Sequence, residues 1–156
     1  KKRRDAMSST LLLVQFASQN VALFCCALFA GAATYVSLVG HPAMDEDGTE
    51  LADTHVLASH PRPAIFQASL GVIGSLAAML AGSAGGATWW LAGGMVLGAA
   101  AALQVFAVLP LTRRLAGIEP RADPKSAAQM IARLAKLHAA LSLAALAALF
   151  MLITKA

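Results

Sequence analysis

From Ala64 to Thr112 the chain runs through forty-nine consecutive residues without an Asp, Glu, Lys, Arg or His. That is more apolar length than one core helix of a soluble domain requires. A bilayer core of about 30 Å takes about 20 helical residues at about 1.5 Å each. The run therefore divides into two membrane spans at the small and polar Ser83-Ala84-Gly85-Gly86-Ala87-Thr88. Composition agrees, because 58% apolar against 13% charged residues and a mean hydropathy of +0.68 lie outside the range of a soluble globular domain.

A chain of 156 residues holds four such spans and one long connection, and leaves no room for a nucleotide-binding module beside them. The expected fold class is all-α, an integral membrane up-down-up-down four-helix bundle. It forms a single transmembrane domain with spans at about 20–39, 64–82, 89–110 and 129–154. The second span is introduced by Pro61-Arg62-Pro63, prolines that suit the first turn of a helix and disfavour helix before it. Trp89 and Trp90 open the third span as an interfacial aromatic pair, and Arg113 and Arg114 anchor its far end.

The N-terminal region is harder to divide. Lys1-Lys2-Arg3-Arg4 followed by Leu11-Leu12-Leu13-Val14 imitates a signal peptide, but apolar character continues to Gly40 and no small-residue cleavage site closes a short apolar region. A retained span is expected. The missing initiator Met points to a processed or trimmed start. Gln15, Ser18, Gln19 and Asn20 interrupt the region, so the span proper is placed at Asn20 to Val39, behind an interfacial or tilted segment. Cys25 and Cys26 are adjacent on one helix, about 100° apart around it, and cannot easily bridge.

Helix contacts are also written in the sequence. Gly71 and Gly74 in the second span, and Gly94-Met95-Val96-Leu97-Gly98 in the third, allow backbones to approach closely. A contact inside the bundle is the expected use, in preference to a dedicated dimer face.

Four spans place both termini and the Ser83–Thr88 turn at one end, and the loops 40–63 and 111–128 at the other, the loop end. Lys and Arg number five at the terminal end and seven at the loop end, so the positive-inside rule does not fix orientation. The basic residues flank spans and do not interleave with aromatics, which favours membrane lipids with anionic headgroups as partners over nucleic acid. Topology gathers His41, Gln67, Gln104 and His138 at the loop end. Ionisable groups inside a membrane are costly enough to count as functional candidates, and His138 lies about two turns inside its helix. The loop also carries His55 and His60 with Asp45, Glu46, Asp47, Glu50 and Asp53, but in no zinc or EF-hand spacing. A solvated acidic loop and no metal site are expected.

The stretch Gly31-Ala32-Ala33-Thr34-Tyr35-Val36-Ser37-Leu38-Val39-Gly40-His41-Pro42-Ala43 resembles the anthrone oxygenase family of small four-span membrane proteins. Leu109-Pro110-Leu111-Thr112-Arg113-Arg114-Leu115 and Leu137-His138 fit the same pattern, and the resemblance covers nearly the whole chain. It implies oxygenation of an electron-rich aromatic such as an anthrone to a quinone, without bound flavin or haem. His41 and His138 would be the catalytic residues, acting as general bases near neutral pH. The chain departs from the family at Gly40, where a Glu is common. It departs again at Leu134 and Leu141, where Trp and Arg are typical, and at Thr112, often Asn.

These losses of polar residues lead to the expectation of a non-catalytic accessory or scaffold subunit. It would keep the family's bundle within a larger assembly of protein subunits, in an organellar inner membrane or a bacterial plasma membrane. No cofactor is expected. The alternative is a membrane oxygenase that uses His41 and His138 on a hydrophobic aromatic.

Overall fold

A computed structural model describes residues 2–40, 61–85, 87–116 and 124–154. Helix α1 spans Lys2–Tyr35 and continues through a π-helical turn, Val36–Gly40, and α2 spans Pro61–Ser83. Helix α3 runs from Thr88–Leu103 through a second π-helical turn, Gln104–Val108, into Leu109–Ala116, and α4 spans Pro124–Ile153. The fold is all-α, with no strand among the described residues. Four segments, Ser9–Leu38, Ala64–Ser83, Thr88–Leu115 and Ala128–Ile153, are long and apolar enough to cross a membrane. Such segments are helical because hydrocarbon offers backbone N–H and C=O groups no partner, and a helix satisfies them internally.

Helix α1 packs on α2 and α4, and α3 packs on the same two, closing a four-membered ring. Consecutive helices are antiparallel. Gly71 faces Phe29 and Ala101 while Gly74 faces Cys25 and Leu97, so α1 and α3 both run against α2. At the far end Gly93 meets Leu152 of α4.

Alanines make up much of the inside, around a few large side chains such as Phe29, Trp90 and Leu97, and many large apolar residues cover the outside. Ala22, Ala30, Ala33, Ala78, Ala81, Ala145 and Ala148 are buried, whereas Leu12, Phe16, Phe24, Leu76, Met95, Leu143 and Phe150 are exposed. This pattern suits a lipid solvent, in which a large apolar side chain gains nothing by turning inward and close backbone approach stabilises the bundle. The Gly94 and Gly98 pattern serves that approach. A Cβ on Gly94 would lie 3.1 Å from Ala78 Cβ, and one on Gly98 would lie 2.8 Å from Ser75 Oγ. Ser75 Oγ donates to Gly94 O at 2.8 Å, a bond across the same seam.

Three local features need a physical account. Helix α1 is unbroken through its polar cluster. Ser18 Oγ lies 2.7 Å from Val14 O, and Asn20 Nδ2 donates to Phe16 O at 2.8 Å, so these side chains bond back onto their own helix without ending it. The tryptophan pair is split: Trp89 is half-exposed but Trp90 is fully buried in the core, since neighbours on a helix point about 100° apart and only one can face outward. Finally, Gly85 has φ +106°, the left-handed conformation that lets α2 end, with Ala84 N–H donating to Leu80 O at 2.9 Å.

A Gly71→Val substitution places a Cβ 2.8 Å from Ala101 Cβ and 3.0 Å from the Phe29 ring. A backbone-anchored methyl cannot move aside, so a loss of about 1–3 kcal/mol is expected. Thermal denaturation in mild detergent checks this against Gly31→Ala, where the added methyl meets nothing within 4 Å and the midpoint is expected to hold or rise.

Candidate functional site

The loop end of the bundle holds a polar cluster inside an apolar chain. Gln67, Gln104, His138 and Ser142 are buried, one from α2, one from α3 and two from α4, and α1 contributes Thr34 and Ser37 at the same level. The registers described above produce the meeting. Antiparallel pairing that sets Gly71 on Ala101 brings Gln67 to Gln104 four and three residues on. Pairing of Gly93 with Leu152, and the cluster of Val108 and Leu115 with Leu134, place Gln104 and His138 within about one turn of the same level on α3 and α4.

Both π-helical turns lie at this level. In α3, Leu109 N–H donates to Gln104 O, five residues back. Proline 110 explains the widening: a pyrrolidine ring clashes with the carbonyl four residues earlier in a regular α-helix, and one wider turn before it relieves the clash. The turn in α1 ends at Gly40, two residues before Pro42, just as the turn in α3 ends at Val108, two residues before Pro110. Each widened turn frees backbone and side-chain geometry where the polar residues sit.

The hydrogen bonds divide the cluster into a tight half and a loose half. Ser37 Oγ and Ser142 Oγ are 2.7 Å apart across α1 and α4. Each also lies within reach of a carbonyl of its own helix, Ser37 at 3.0 Å from Ala33 O and Ser142 at 2.8 Å from His138 O. Each hydroxyl has one proton, so one serine donates across the interface while the other donates along its helix. The glutamines are looser. Gln104 Nε2 donates to Gln67 Oε1 at 3.4 Å, and Gln67 Nε2 donates to Phe29 O at 3.5 Å, both long for an N–H···O bond.

Two buried oxygens have no partner among the described residues: Gln104 Oε1 and Thr34 Oγ1. Leaving a buried carbonyl unpaired costs about 1–3 kcal/mol, more than a typical hydrogen bond contributes. Native structures rarely carry such groups without a use. The amide oxygen can only accept, so its complement is a hydroxyl or N–H donor; the Thr34 hydroxyl can both donate and accept.

His138 Nδ1 lies 3.1 Å from Leu134 O. A carbonyl accepts only, so Nδ1 carries the proton in the neutral ring and Nε2 carries the lone pair. In that tautomer Nε2 is the nitrogen with basic character.

Of the sequence candidates, Gln67 and Gln104 are brought into contact here, and His138 is buried at the same end of the bundle. His41, with His55, His60 and the acidic residues 45–53, lies outside the described residues. Among the described residues no group of three His, Cys, Asp or Glu could hold a metal ion. Sequence reasoning missed Thr34, Ser37 and Ser142. Small hydroxyls in helices ordinarily bond to their own backbone, and only the cross-helix partner of Ser37 and the missing partner of Thr34 single them out.

Comparison with models of known protein families, with curated proteins and with solved structures finds no match.

The double variant Gln67→Met, Gln104→Met keeps length and removes the unpaired carbonyl without orphaning Gln67 Oε1, which Gln104 Nε2 otherwise partners. Stability in detergent is expected to rise by about 1 kcal/mol, read as a higher thermal midpoint. A clear fall would show that the amide is already satisfied and contradict its assignment as an orphaned acceptor.

Proposed function

We propose that this membrane protein binds a hydroxylated, fused-ring aromatic at the loop end of its bundle and oxygenates it, as the resemblance to the anthrone oxygenase family implies. The observation that carries the reading is the pair of unpartnered buried oxygens, Gln104 Oε1 and Thr34 Oγ1, at the same end of the bundle as a histidine whose tautomer leaves Nε2 as the basic nitrogen. A phenolic hydroxyl satisfies the amide oxygen. The apolar ring system needs no water-facing wall, because the site lies within spans that hydrocarbon surrounds.

The chemistry asks little of the protein. His138 removes the ring-methylene proton of an anthrone, giving a delocalised anion whose oxygen can accept a hydrogen bond from the Thr34 hydroxyl. Dioxygen takes the electron pair and forms a C–O bond at that carbon. The resulting hydroperoxide loses the second proton as the O–O bond breaks, leaving a quinone carbonyl and one water. One dioxygen is consumed per anthrone, and the substrate itself supplies the electrons. His41, which the resemblance pairs with His138, would be a second base.

A second reading, an accessory or scaffold subunit of a larger complex, draws support from Leu134 and Leu141. Both are buried in apolar clusters, at positions where the family that the chain resembles typically has Trp and Arg. On either reading the host membrane is an organellar inner membrane or a bacterial plasma membrane.

Oxygen uptake by the purified protein in micelles, with an anthrone as substrate, tests the first reading. Consumption well above the uncatalysed rate is expected, with His138→Ala and His41→Ala each returning it to that of empty micelles. Equal rates with and without protein, or unchanged turnover in both variants, would overturn it.

A further inference from the structure

Outside the polar cluster, α3 and α4 enclose a groove of about 630 Å³ on the surface of the bundle at the loop end. Three cations converge on it, Arg114 from α3 and Arg133 and Lys136 from α4, and no acidic residue among the described residues lines it. Phe106, Leu111 and Leu137 form its apolar floor, with Phe106 80% exposed. We infer that this groove is a binding site for an anionic phospholipid, with the phosphodiester between Arg114, Arg133 and Lys136 and an acyl chain lying along Phe106 and Leu137.

The arrangement has a direction. Arg114 stands eight residues, about 12 Å, beyond Phe106 along α3, so the charged end of the groove lies toward the loops and its apolar end within the span. That is the order of a lipid, headgroup outward and chain inward. A free anion would use the cations and leave Phe106 uncovered; a zwitterionic lipid would set its choline positive charge among three like charges. Two guanidinium groups can each hold phosphate oxygens in bidentate fashion, and the ammonium adds a point charge. Basic pockets between helix ends are the usual seats of anionic headgroups.

The sequence supports the charge argument independently. From Pro124 to the end of the chain the sequence carries Lys125, Arg133, Lys136 and Lys155 and no acidic residue, so α4 itself supplies no counter-ion for Arg133 and Lys136; Glu119 and Asp123, in the connection before it, lie outside the described residues. The π-helical turn Gln104–Val108 contributes too. It includes Phe106, whose ring stands outward while Gln104 and Val108 are buried.

Native mass spectrometry of the full chain released from mild detergent, with phosphatidylglycerol and phosphatidylcholine titrated in competition, tests the site. One phosphatidylglycerol is expected to remain bound with a preference of about tenfold or more over phosphatidylcholine. The triple variant Arg114→Gln, Arg133→Gln and Lys136→Gln is expected to lose the preference, and Arg113→Gln, outside the groove, to keep it. Circular dichroism confirms that the triple variant is folded, and the Arg114→Lys, Arg133→Lys pair, which conserves charge, is expected to retain part of the preference. Equal retention of the two lipids by the parent chain, or an undiminished preference in the triple variant, would overturn the proposal. So would displacement of the lipid by millimolar inorganic phosphate, which would make the groove a free-anion site, or persistent exclusion of lipid by an acidic protein segment.

Discussion

Close approach of helix backbones, made possible by glycine and alanine, is the constraint on which everything else in this bundle depends. Within hydrocarbon, burying an apolar side chain against another helix gains little over burying it in lipid, so association relies on packing density and on hydrogen bonds across the seams. Gly71, Gly74, Gly93 and Gly94 all sit where a Cβ would come within about 3 Å of a neighbouring helix. They bring α2 and α3 into register at one set of levels only. That register carries Gln67 to Gln104 and sets α3 against α4 so that Gln104 stands within about one turn of the level of His138.

Polar side chains then take on a value they would lack in a soluble protein. Ser75 bonding to Gly94 O and Ser37 facing Ser142 are satisfied contacts that tie helix pairs together. Gln104 and Thr34 are different in kind, since each keeps a buried oxygen without a partner among the described residues. A scaffold selected only for stability gains from replacing such groups with apolar ones of the same shape. Their coincidence with two π-helical turns and a histidine of defined tautomer is what gives the loop end a chemical character.

Much of the architecture was legible in the sequence, for reasons that can be named. The forty-nine uncharged residues and the Gly-rich turn locate α2 and α3, and antiparallel connection alone gathers Gln67, Gln104 and His138 at one end. The polar cluster in α1 does not end the helix. Residues such as Ser18 and Asn20 are as compatible with a helix that bonds its own carbonyls as with an interfacial break, and composition does not separate the two. Trp90 was read as an interfacial residue with Trp89, yet it is core, because the rotation of a helix between neighbours outweighs their shared preference for the interface. The π-helical turns were written only indirectly, in Pro110 and Pro42, and the role of Thr34 depends on atoms that only three-dimensional packing identifies.

The central claim is that the loop-end cluster is a binding site for a hydroxylated ring and that Gln104 Oε1 is the atom left waiting for it. Isothermal titration of the purified protein in micelles with a hydroxylated anthraquinone, a stable analogue of the proposed product, addresses it most directly. The account predicts saturable one-to-one binding that weakens by about tenfold or more in Gln104→Met, the loss of one buried hydrogen bond together with the ligand donor it leaves unpaired. Binding no different from that of empty micelles, or equal affinity in the parent chain and in Gln104→Met, would contradict it.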